Sequence, residues 1–245
     1  MSSANTYRGY RSLCAPKDNE KAYQVVLEQS DLLVISSVDL RFQILDRLFL
    51  VRRDLINYIT LHPEFSSSLH PVKVSPKAPL IVRKMAEAAE VFGVGPMAAV
   101  AGAIAQDIAD HFQKISRDII VENGGDIYLH SNRSRTVALL PHPEEKAALG
   151  LRIDSREFPC SVCSSSATIG HSLSLGRGDL VAVKAGSGAM ADAAATALCN
   201  LVRDKKSLAG LEKKVSGHLG REISGVLAQL GQNLAVIGDM ELTAL

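Results

Sequence analysis

The run from Val91 to Ala105, Val-Phe-Gly-Val-Gly-Pro-Met-Ala-Ala-Val-Ala-Gly-Ala-Ile-Ala, constrains the fold most, because it is almost wholly apolar and built mainly from small residues. It is too short to span hydrocarbon and is bounded by Glu87, Glu90, Asp107 and Asp110. It must therefore be a helix buried in a protein core, and no membrane partner is expected. Pro96 suits the first turn of that helix, so Ala78–Phe92 and Met97–Ile115 are predicted as two helices parted by Gly93-Val-Gly95-Pro96. Small side chains at Ala98, Ala101, Gly102 and Ala105 let another backbone, or a ligand, come very close.

A buried helix needs a core around it. A chain of 245 residues can bury roughly three-quarters of its unfolded surface, so no metal or disulfide staple is required. One domain over 1–245 is expected, with 1–20 as an irregular N-terminal segment. The 27 Lys plus Arg nearly cancel 26 Asp plus Glu, which disfavours nucleic acid or an anionic membrane as partner. Aromatics make up 4% of the chain and Trp is absent, so a stacking platform for sugars or single strands is disfavoured too. The first ten residues carry no apolar signal region, and a cytoplasmic location is expected. The four cysteines do not make a disulfide framework. Cys160-Ser-Val-Cys163 has metal or redox spacing but lacks a second Cys or His pair, so two structural thiols at a strand end are expected.

Elsewhere the patterning mixes periods. Gln24–Leu27 and Leu32–Ile35 predict a hairpin turned at Gln29-Ser-Asp31. From Asp39, as N-cap, Ile44, Leu48, Val51, Leu55 and Tyr58 recur on one helical face, and the helix should stop before Pro63. The segment 61–79 predicts a loop. Ile119–Val121, Ile127–Leu129, Val137–Leu140 and Leu149–Ile153 suggest a β-meander. A buried strand at Leu180–Val183, a helix from Ala189 to about Arg203 and a closing strand at Asn233–Ile237 follow. Helical spacing over 207–227 is weakened by Gly217, Gly220 and Gly225. Helices grouped between a hairpin and a meander predict an α+β fold.

Three segments look unlike plain core: Gly95–Gly102, Val121–Asp126 and Ser164–Asn200. In the second, Gly124-Gly125 lets backbone approach a ligand with Glu122, Asn123 and Asp126 beside it; the bland alternative is a capped Gly-Gly turn. The third opens with hydroxyls around His171, a side chain easily tuned to exchange a proton near neutrality. A hydrolase using Ser164, Ser165, Ser166 or Ser172 beside His171 is one reading, although no Gly-x-Ser-x-Gly elbow is present. Asp192 and Thr196 lie four apart on one helical face and offer hard oxygens suited to Mg²⁺ or Ca²⁺ and not to zinc. The alternative is a first-turn helix charge and a Thr bonded back to its own helix.

In this order and spacing, Glu122-Asn-Gly-Gly-Asp126, Gly170-His-Ser172 and Ala191-Asp-Ala-Ala-Ala-Thr-Ala197 resemble the ApbE-like superfamily of FMN transferases, formerly linked to thiamine biosynthesis. Gly93–Ala105 is similar to an uncharacterised cytoplasmic branch of that superfamily whose members have no assigned reaction; Tyr23–Ser37 and Pro63-Glu-Phe65 extend the likeness. The match to the transferases proper covers roughly 98–200. The resemblance implies an α+β domain with an antiparallel or mixed sheet and helices packed against it. It implies Mg²⁺ held by Asp192, Thr196 and a carbonyl near Ala101, FAD as the phosphorylated ligand, and FMN passed to a Thr of an acceptor protein. Asn123, Gly124 and Gly125 would line the pocket with Ser165, Ser166, Thr168, Gly170 and Ser172, and His171 and Asp126 would serve the chemistry. Gly102-Ala103 stands where the transferases have Lys-Gly; the expected function is Mg²⁺-dependent handling of a flavin nucleotide or another phosphorylated metabolite, and a flavin- or nucleotide-binding protein without catalysis is the alternative.

Overall fold

The computed structural model describes residue 11, residues 16–17, 19–139, 149–167 and 176–245. Strands β1 (Lys21–Leu27) and β2 (Ser30–Ser36) form the expected hairpin, but its turn is Glu28-Gln29, because Leu27 pairs with Ser30. Helix α1 (Arg41–Leu61) buries Ile44, Leu48, Val51 and Leu55 as their spacing predicts. Asp39 does not occupy the N-cap; Leu40 does, and the Asp39 carboxylate instead accepts the Arg41 N–H at 3.1 Å. The loop before Pro79 contains one short helix, α2 (Glu64–Ser67), which inserts Phe65 into the core.

Helix α3 (Leu80–Phe92) ends at Gly93, whose φ of 68° closes the helix in the left-handed region. A 3-10 turn at Pro96–Ala99 then feeds α4 (Val100–Phe112). No single helix among the described residues is long and apolar enough to cross a membrane. Strands β3 (Ile119–Asn123) and β4 (Asp126–His130) pair as a hairpin.

The meander stops there. β5 (Arg135–Leu139) and β6 (Leu149–Ile153) leave for a second sheet, ordered β11-β6-β5, completed by the unanticipated β11 (Glu241–Ala244). The neighbour of β4 is instead β7 (Cys160–Ser165), followed by β8 (Leu180–Ala185), β9 (Gly225–Leu230) and β10 (Asn233–Gly238). Strand spacing alone shows that strands exist and not which edge each one joins. Both sheets are antiparallel throughout their ladders. Between β8 and β9, helix α5 (Gly188–Leu201) is followed by short helices α6 (Lys205–Ala209) and α7 (Leu211–Val215). The apparent single helix over 207–227 therefore breaks at Gly210, and Val226 belongs to a strand.

Alternation along the strands builds three layers. On β8, Val181, Val183 and Ala185 pack with α5, whereas Leu180 and Ala182 pack with Leu151, Ile153 and Val137 of the small sheet. Helices thus cover one face of the eight-stranded sheet and the three-stranded sheet covers part of the other. The same alternation separates the two cysteines of β7: Cys163 lies on the helix side and Cys160 on the small-sheet side. Three residues apart on a strand, they point to opposite faces and cannot share one metal ion. Cys160 opens β7, and both thiols are buried and free.

Candidate functional site

Helices α4 and α5 cross where each has a glycine. A Cβ on Gly102 would stand 2.2 Å from the Gly188 carbonyl oxygen, and one on Gly188 would stand 2.2 Å from that of Gly102. The small residues of α4 thus admit another backbone, and that contact brings Asp192, one turn into α5, up to the start of α4. Its Oδ2 accepts the Gly102 N–H at 2.9 Å, one of the first-turn donors with no partner inside the helix. Burial pushes the Asp192 carboxyl up to about 7, against the opposing pull of the Gly102 and Ala101 N–H groups.

The β3–β4 hairpin closes the site from the sheet side. Its two-residue turn, Gly124-Gly125, has φ of 69° and 106°, the pairing of positive values that tight antiparallel hairpins require. The Gly125 N–H donates to Glu122 Oε1 at 2.8 Å, and the Glu122 carboxylate also accepts from Arg11. Asn123 Nδ2 donates to the Ala101 carbonyl at 3.2 Å. Asp126 Oδ1 accepts the Ser164 N–H at 3.1 Å, and Ser164 Oγ donates to the Gly125 carbonyl at 3.3 Å. Burial raises the Asp126 carboxyl well above the carboxylate range, and the charge of Asp192 raises it further. Cys163, between strand and α5, is pushed up by burial and then by both carboxylates, which makes it an inert thiol.

Two hydroxyls remain available. Thr196 is buried on the same face of α5 as Asp192 and makes no hydrogen bond among the described residues. Ser165 is buried, and its Oγ has no partner there either. Ser166 is half-buried on the same segment. Thr168, Gly170, His171 and Ser172 lie outside the described residues. The structure therefore brings together Ala101, Asn123, Gly124, Gly125, Asp126, Asp192 and their neighbours on β7. A cavity of about 450 Å³ lies at the far end of β4, lined by Lys114, Arg117 and His130, and does not coincide with this cluster.

Sequence reasoning overlooked Gln106. Its Oε1 accepts the Gly188 N–H at 2.9 Å and the Ser187 hydroxyl at 3.3 Å, while its Nε2 donates to Tyr128 at 3.4 Å. It thereby ties the start of α5 to the sheet. The signal was a lone amide at the end of the small-residue apolar run that opens α4, since a buried amide must find partners.

Among the described residues no three His, Cys, Asp or Glu side chains gather into a metal-binding group. A cation here would rest on one carboxylate helped by hydroxyl and carbonyl oxygens. The donor chemistry fits that role. Two buried carboxylates stand with raised pKa values, and no Lys, Arg or His pairs with either one among the described residues. Burial disfavours the charged form of both carboxyls, so a cation brought among these hard oxygens would find no competing protein cation among the described residues, which suits Mg²⁺.

A family model described as "AbpE bacteria" matches residues 12–219. The chain belongs to this ApbE-like family. It is 39% identical over 186 residues to the UPF0280 protein of Methanocaldococcus jannaschii, covering 74% of this chain and 75% of that protein. It is 38% identical over 190 residues to the UPF0280 protein of Methanothermobacter thermautotrophicus, covering 76% and 74%. Neither name specifies a reaction. Among solved structures, the apo flavinyl transferase ApbE of Pseudomonas stutzeri superposes with TM-score 0.51 at 11% identity over 89% of this chain and 94% of that one. The ApbE protein of Thermotoga maritima superposes with TM-score 0.55 at 10% identity over 91% and 96%. The α+β architecture is thus the ApbE fold.

Proposed function

We propose that this ApbE-like chain binds a flavin nucleotide with Mg²⁺ and transfers FMN from FAD to an acceptor hydroxyl. The observation that carries the reading is the pair of buried carboxylates, Asp126 and Asp192, left without a cation from the described residues at the crossing of α4 and α5. Asp192, Thr196 and the Ala101 carbonyl would hold the metal, and Asn123 orients that carbonyl by its hydrogen bond. Bound Mg²⁺ would neutralise charge on the FAD pyrophosphate and on the AMP that leaves. The Gly124-Gly125 turn lets the phosphates approach backbone closely, and Ser165 supplies a free hydroxyl to an anionic oxygen. Asp126 would take the proton from the acceptor hydroxyl as its oxygen bonds to the FMN phosphorus and the pyrophosphate P–O bond breaks. A carboxyl raised above its ordinary range is a stronger base once ionised than an exposed one. His171, with Thr168, Gly170, Ser166 and Ser172, completes the phosphate side in this proposal.

Titration of the purified protein with FAD, followed by flavin fluorescence and by AMP release, tests it. FAD should bind with Mg²⁺ and bind at least about tenfold more weakly once Asp192 is changed to Asn, since one charge-assisted ligand is lost. Mg²⁺-dependent binding without AMP release would leave a binding protein. FAD affinity that depends on neither Mg²⁺ nor Asp192 would overturn the reading.

A further inference from the structure

Helix α1 carries a second apolar face. Its inner face, Ile44, Leu48, Val51 and Leu55, is buried against the core. On the opposite side Phe42 is 78% exposed, Phe49 56% and Ile56 45%. These three are seven residues apart, so they stand two turns from one another along nearly one line of the helix. Large apolar side chains scattered singly are ordinary on a monomer, but an aligned stripe marks a surface that something covers.

Its spacing says what. Phe42 and Ile56 are equidistant from Phe49. Beside the stripe, Asp46 follows Phe42 by one turn and Arg53 follows Phe49 by one turn, and both are exposed. Asp46 has no ion-pair partner among the described residues, and Arg53 is held only by its neighbour Asp54, in an exposed pair worth little. If a second α1 is laid antiparallel with Phe49 on the two-fold axis, Phe49 meets Phe49, Phe42 meets Ile56, and Asp46 falls beside Arg53 of the other copy, twice. The stripe is complementary to itself in the spacing of its apolar side chains and in charge, the property that an isologous contact demands and that an unrelated partner would not.

We propose that α1 is a homodimer interface, in which two copies pair antiparallel through Phe42, Phe49 and Ile56 and lock register with two Asp46–Arg53 ion pairs. The contact lies on the outer surface of the helix layer, away from the α4–α5 crossing, so the proposal stands independently of the function proposed above.

Sedimentation equilibrium of the full chain at micromolar concentrations should give about twice the 26.2 kDa chain mass. Phe49→Glu should weaken the dimer about 100-fold or more, because two carboxylates would meet on the axis. Its melting temperature in dilute, monomeric solution should match that of the natural chain, since Phe49 is exposed. Asp46→Arg and Arg53→Asp should each weaken the dimer about tenfold, and the two together should restore it. A monomeric natural chain, a dimer that survives Phe49→Glu, or charge changes that fail to rescue each other would overturn the proposal.

Discussion

The carboxylates around the β3–β4 hairpin are handled in two opposite ways. At the open end, Asp118 precedes β3 and Ser131 follows β4, and Glu20 joins them. Arg135 donates to both carboxylates, Arg133 donates to Glu20 at 2.8 Å, and Ser131 Oγ donates to Asp118 at 2.6 Å. Burial would raise Glu20 and Asp118, but these bonds and charges outweigh it and hold both below their ordinary values. At the turn end Glu122 likewise accepts from Arg11, whereas Asp126 and Asp192 receive backbone N–H groups and, among the described residues, no guanidinium, and burial raises both. Where a carboxylate is only structural, this fold supplies its cation. Where it does not, the function proposed above assigns the missing charge to a ligand.

The largest effect should come from breaking the saturated end. Arg135→Met removes a guanidinium that is 6% exposed and leaves Glu20 and Asp118 facing each other, which should cost about 3–5 kcal/mol at pH 7 by urea denaturation. Both folded pKa values are lowered. Their contribution is therefore full above the unfolded carboxylate range near pH 4 and is lost as pH falls through the folded values, so the penalty should shrink in acid. A penalty as large at pH 2 as at pH 7 would mean that packing, and not charge, accounts for it.

Next comes the crossing that positions Asp192. Gly102→Ala places a Cβ against the Gly188 carbonyl, where neither backbone can yield, and should cost about 3 kcal/mol and displace the carboxylate. A smaller and opposite effect is expected from Asp192→Asn. Its folded pKa is raised, so the stability tied to its proton is full below pH 4 and is lost as pH rises through about 7. Without divalent ions the Asn variant should be ~1–2 kcal/mol more stable at pH 8 and no more stable at pH 4. Lower stability at pH 8 would show that a cation within the protein already compensates Asp192. Smallest, Gly124→Ala and Gly125→Ala should each cost about 1 kcal/mol for a forced positive φ, with Gly125 the worse because its Cβ would also lie 3.3 Å from Ser164 Oγ.

Much of this was legible in the chain. The buried face of α1, the stop before Pro63, the Gly-Gly hairpin and the shared face of Asp192 and Thr196 follow from local spacing, which records periods of 3.6 and 2 directly. The small residues of α4 announced a close approach, though not that Gly188 would be its partner. What stayed hidden is long-range. The meander reading places β5 beside β6, but nothing near them says that the pair leaves β4 for a second sheet shared with β11, and nothing near Gln106 says that it holds the start of α5. The charge contrast was hidden for the same reason: Glu20 and Arg135 are 115 residues apart, and only the fold shows which carboxylates have found a cation.

The central claim is that Asp126 and Asp192 await a divalent cation brought with a phosphorylated ligand. Thermal unfolding of the natural chain and of Asp192→Ala, with Mg²⁺, with FAD and with both, tests it most directly. Mg²⁺ dehydrates reluctantly and is usually completed by phosphate oxygens, so neither addition alone should move the natural chain's Tm by much. Together they should raise it by several degrees, through binding to the folded state alone. Asp192→Ala should show no joint shift. A joint shift that persists in that variant, or an equal shift with FAD and no Mg²⁺, would contradict the account and leave Asp192 as a carboxylate that serves only to cap the first turn of α4.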